Sequence, residues 1–133
     1  MDAERIAIAQ KCLNAAHDGS LSFPEIVGTL IAHGFESYVV DYRLGTQTYF
    51  LPDGDSIALP LHATAGTVQS AFDAAEVERL VRWAQSNADG YSYVAFCEKV
   101  KAAGCAFYLV SFLGRRVVYV GRSGETHVEH FPN

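Results

Sequence analysis

The chain has 133 residues, half of them apolar, with three cysteines. That is enough to bury a core without disulfide staples, and no apolar run nears the roughly 18 to 20 residues that span a bilayer. A net charge of -5 and a pI near 5.4 exclude a protein that coats nucleic acid or anionic membrane with its whole surface.

The opening "MDAERIAIAQ" carries two acids where a secretory signal would be basic and then apolar, so the expected address is the cytoplasm. The odd set Cys12, Cys97 and Cys105 suits a reducing compartment, where thiols serve as small apolar side chains. A first helix is predicted over residues 3–17. A second starts at Ser22 as N-cap, with Pro24 in its first turn and Glu25 completing a capping box. Phe23, Ile26, Val27 and Leu30 form its apolar stripe, and Gly34 ends it. The period then changes to two: "SYVVDYR" sets Tyr38, Val40 and Tyr42 against Val39 and Asp41, as a half-buried strand does. Leu44-Gly45 turns into "TQTYFL", and "PDGD" turns into a third strand near 56–61.

"HATAGTVQS", residues 62–70, reads as a joint of small residues inside one domain. Beyond it, Asp73 and Glu76 form a predicted capping box for a helix over 74–87, with Val77, Leu80, Val81 and Ala84 buried. Tyr93, Phe96, Cys97 and Val100 mark the next helix, stopped by Gly104. "FYLVSF" is apolar on both sides, which places it centrally in the sheet or beneath a partner. Leu113-Gly114, "RRVVYV", "RSGE" and a strand near 125–130 complete the chain.

The second half repeats the first at an offset of about 70 residues: Gly34 falls on Gly104, Tyr38 on Tyr108, Val40 on Val110, Tyr49 on Tyr119 and Gly54 on Gly124. The expected fold is therefore α+β, an internal duplication of an α-α-β-β-β unit. Its antiparallel sheet has about six strands, with helices packed on one face. Residues 1–133 form a single domain of two pseudo-repeats, 1–62 and 72–133, because a three-stranded unit of that size closes no core alone.

"YVAFCEKVKAAGCAFYLVSF", "RRVVYVGRSGETHVEHFPN", "GFESYVVD" and "TYFLPDG" together resemble the YdfO-like family, small bacterial and prophage proteins sometimes labelled phage envelope protein. The resemblance spans nearly the whole chain. It implies an α+β fold and no established activity, and nothing in the residues supports the envelope label.

Chemistry-bearing groups are sparse. In "HVEH", His127 and Glu129 share one strand face and His130 takes the other; a third ligand would have to be His62, if the third strands of the two halves were neighbours. A solvated strand end is the expected reading, with no metal and no cofactor. Cys97 stands where the other half has Val27 and reads as packed rather than nucleophilic. Tyr38, Tyr49, Tyr108 and Tyr119 are candidates to line a pocket on the pseudo-twofold axis, or else plain core aromatics. Residues 79–122 hold seven bases (Arg79, Arg82, Lys99, Lys101, Arg115, Arg116, Arg122) against two acids, whereas residues 1–78 hold eleven acids against three bases. Arg115 and Arg116, on opposite faces of a strand, would not join one patch, so nucleic acid is not the expected partner.

Three readings follow. The favoured one is a binding or interaction module that self-associates, possessing strands apolar on both faces. The alternatives are a small-molecule binder or enzyme with its site between the halves, and a nucleic-acid-directed regulator using 79–122. The residues lean away from catalysis.

Overall fold

The computed structural model describes residues 1–86 and 89–132. Each half lays down two helices and a meander: α1 (Ala3–Asp18), α2 (Phe23–Ala32), β1 (Ser37–Asp41), β2 (Thr46–Phe50) and β3 (Ser56–Pro60), then α3 (Ala74–Gln85), α4 (Tyr93–Ala102), β4 (Cys105–Ser111), β5 (Arg116–Gly121) and β6 (Thr126–His130). The two meanders join through β1 and β4 into one antiparallel sheet of order β3-β2-β1-β4-β5-β6. A pseudo-twofold axis runs normal to the sheet between Val39 and Leu109, which face each other across that central seam. The fold is α+β with the duplicated unit expected from the sequence, and the predicted third strands end up as its two edges.

Local signals set the helix ends. Ser22 and Glu25 make the full capping box, and Gly34 and Gly104 leave their helices at φ of 87° and 94°, a region open to glycine at little cost. The second box is only half made. Asp73 caps the amide of Glu76, but its own N–H donates to the carbonyl of Ala103, so Glu76 has no amide to reach and pairs with Arg79 instead. The expected last residue of α3, 87, lies outside the described residues. Phe23 also departs from the predicted stripe: it is 45% exposed, and its ring meets that of Phe131 edge-on.

The hairpin turns pair differently from the Leu-Gly echo. In register, Gly45 corresponds to Arg115, and both have positive φ, 70° and 50°. Arg115 thus occupies a left-handed position that costs a non-glycine residue about 1–2 kcal/mol. It is a turn residue ahead of β5, so the expectation that Arg115 and Arg116 occupy opposite faces of one strand is corrected: Arg115 bonds the carbonyl of Pro132, and only Arg116 belongs to the strand.

All four helices cover one face of the sheet. The buried cluster draws on both halves, with Leu30, Val40 and Tyr49 from the first and Leu80, Val100 and Val110 from the second. Each such side chain contributes about 1.5–3 kcal/mol on burial. The predicted joint is a loop, as expected, and it lies as a strap against α4. The buried Lys101 ammonium donates to Thr64 Oγ1 and to the carbonyls of Thr64 and Gly66, Glu98 accepts from the Ala65 amide, and Gln69 N–H reaches the Lys101 carbonyl. Among the described residues, no helix is long and apolar enough to cross a membrane.

Candidate functional site

Tyr38, Tyr49, Tyr108 and Tyr119 all lie on the helix-covered face, and all are buried. Register puts Tyr38 beside Tyr49 in one cross-strand row and Tyr108 beside Tyr119 in the next, with ring centroids 5.5 Å and 5.3 Å apart. They are core aromatics: the Tyr49 hydroxyl accepts from Gln47 Nε2, and the Tyr108 hydroxyl meets that of Tyr93 at 2.5 Å. Burial drives all four hydroxyls above their ordinary pKa near 10, which keeps them protonated through the neutral range.

A cleft does open between the halves, but other residues line it. Leu13 and His17 of α1, Tyr42, Gln47, Leu61, His62, Thr64, and Tyr93 and Cys97 of α4 surround about 30 Å³. A ligand pocket holds about 300–1,000 Å³, so this cleft takes no metabolite. Tyr42 is in the cleft wall, with its hydroxyl buried beside the Cys97 thiol. A shallow groove of about 350 Å³ lies beside Asp2, Glu4, Arg5 and Gly34, and its guanidinium is already spent on Asp2 and the His33 carbonyl.

His62 does not converge with His127 and Glu129. With β3 and β6 at opposite edges, the condition for bringing His62 to His127 fails: five strand spacings, about 24 Å, separate those edges. His62 stacks on His17 at 4.0 Å and shares a hydrogen bond with Asn14, while His127 lies 3.3 Å from Glu129. Glu129 points inward and is held by Arg82 at 2.7 Å, and His130 takes the other face as its position requires. Among the described residues, no group of three metal-ligating side chains gathers. Cys12, Cys97 and Cys105 are free and buried, and burial pushes the Cys105 thiol up to about 12.

The seven bases are likewise dispersed. Arg79 and Arg82 pair with Glu76, Glu78 and Glu129, and Lys99 lies over the Trp83 ring. Lys101 is inside the strap, and Arg115, Arg116 and Arg122 bond the carbonyls of Pro132, Gly114 and Val68.

The uncovered face of the sheet holds residues that the sequence reading did not single out as a site. Because side chains alternate, the residues between the buried ones point away from the helices. Register lines them into three rows, each crossing all six strands: Ala58, Thr48, Val39, Leu109, Val118, Val128 in the middle; Ser56, Phe50, Ser37, Ser111, Arg116, His130 on one side; Pro60, Thr46, Asp41, Phe107, Val120, Thr126 on the other. The middle row is apolar except for Thr48. None of its members, nor Phe50, Phe107 or Val120, belongs to the core cluster. The face has one acid and one arginine. Asp41 accepts from the amides of Arg43 and Leu44, and Arg116 Nε donates to the Gly114 carbonyl, so each is turned toward its hairpin. The sequence signal was there, in strands apolar in both phases; "FYLVSF" carried it most openly.

No family model matches the chain, and no curated protein matches it.

Proposed function

We propose that the protein is an interaction module that self-associates, and that the open face of its sheet receives a second copy of the chain. The apolar middle row carries the reading. Six strands about 4.8 Å apart and five residues long make a face of roughly 29 Å by 17 Å, about 500 Å² in projection and more as accessible surface. Specific interfaces bury about 600–1,000 Å² per partner, so one further copy is a fitting cover. The face is near neutral, so two copies meet without like-charge repulsion. Edge-to-edge pairing is the weaker route. Pro60 lacks a donor on β3, and Glu129 sets an inward charge on β6, two devices that blunt sheet edges.

Buried, unpaired thiols suit the cytoplasm as its address. Membership of the YdfO-like family belongs to the same proposal and adds no activity to it. Sedimentation equilibrium is the test. The expected mass is twice the 14.5 kDa of the chain at tens of micromolar, falling toward one chain on dilution. A mass of one chain across that whole range overturns the reading.

A further inference from the structure

Given self-association through the open face, the geometry points to one arrangement: two copies stack about a twofold axis that lies in the interface, perpendicular to the strands, so that the middle row of each copy covers the same row of the other. Rows can cover rows only in aligned face-to-face packing, which keeps the strands of the two sheets within about 30° of each other at about 10 Å separation, whereas orthogonal packing crosses them. That leaves two candidate axes, one across the strands and one along them. The backbone does not choose between them, because the pseudo-twofold normal to the sheet converts one into the other. The choice belongs to the side chains that break the repeat.

An axis along the strands sets β1 of one copy over β4 of the other, which seats the Phe107 ring over Asp41 and strips water from the carboxylate oxygen other than the one that accepts from the Arg43 and Leu44 amides. A carboxylate desolvated against a phenyl ring gains no donor in exchange for its water. It would also bring Val120 onto Thr46. An axis across the strands sets each strand over its own copy, running the opposite way. Phe50 then rests on Thr46 and Phe107 on Ser111, a large side chain over a small one each time. Asp41 faces Ser37, whose hydroxyl donates. The stem of Arg116 lies on Val120, with its head already held at the hairpin by the Gly114 carbonyl.

Val128 on β6 distinguishes the two cases. An axis across the strands sets Val128 opposite the partner's Val128, whereas an axis along them sets it opposite the partner's Ala58 and leaves the two Val128 positions about 24 Å apart. Val128 is 38% exposed, so Val128→Cys perturbs little, and the three native thiols are buried and do not compete. A short homobifunctional thiol cross-linker should join the chains of V128C alone at least about tenfold faster than it joins V128C to A58C in an equimolar mixture, given that spacing. Faster 58-to-128 joining, or no joining in a sample that sediments as a dimer, overturns the arrangement and leaves the self-association standing. A V128C sample that sediments as a monomer beside monomeric wild type removes the reading beneath it as well.

Discussion

Gly104→Ala is expected to lose about 3–5 kcal/mol of stability, a large part of the 5–15 kcal/mol of an ordinary domain, while its repeat mate Gly34→Ala loses only about 1–2 kcal/mol. Both glycines follow a helix at positive φ, so both substitutions incur the left-handed penalty. The difference comes from Ala71 and Phe72, which continue the strap toward α3. A Cβ at Gly104 would lie 2.0 Å from the Ala71 carbonyl oxygen and 2.8 Å from Phe72 Cα, whereas one at Gly34 meets only the Arg5 guanidinium at 3.4 Å. Backbone cannot step aside as a flexible side chain does, and Phe72 is itself buried. Urea unfolding of the two variants measures the gap; equal losses would mean that Ala71 and Phe72 do not hold their place against Gly104.

Val110→Asp and Leu109→Asp, adjacent on β4, are expected to fail in different ways. Val110 is fully buried under the helices, and an unpaired carboxylate there costs several kcal/mol, enough to unfold the chain. Leu109 faces away, at the centre of the middle row. Its carboxylate stays hydrated in a single chain, so the fold persists with a loss of about 1 kcal/mol in strand propensity. In the dimer it would be buried against the partner, and self-association should weaken by at least about a thousandfold, the equivalent of about 4 kcal/mol. Far-ultraviolet circular dichroism separates folded from unfolded, and sedimentation reads the mass. A folded L109D that still dimerises as wild type does would place the interface elsewhere.

Local chemistry made much of this legible in the sequence. The capping residues Ser22 and Asp73, the stop glycines and the alternation of "SYVVDYR" each act within a few residues, and the helices and strands formed where those signals put them. Matching the halves at a constant offset supplied the duplicated sheet. What was not legible depended on neighbours remote in sequence. Glu76 lost its capping role because Ala103, far along the chain, took the Asp73 amide. The strand order put His62 and His127 on opposite sides of the molecule, and the tyrosines that echo most strongly proved to be packing, while Tyr42 and Tyr93 reached the cleft. The open face was half visible: residues apolar in both phases announced two buried sides, but which side the helices take is settled only by the assembled core.

Hydroxyl-radical footprinting at protein concentrations above and below dimer dissociation tests the open face most directly. Phe50, Phe107 and Leu109 should become protected together as concentration rises, while the exposed Leu44 and Ile31, away from the face, stay equally reactive throughout. Unchanged reactivity of those three face residues in a sample that has become dimeric, or protection that appears at Leu44 or Ile31 instead, would contradict a second copy seated on the sheet.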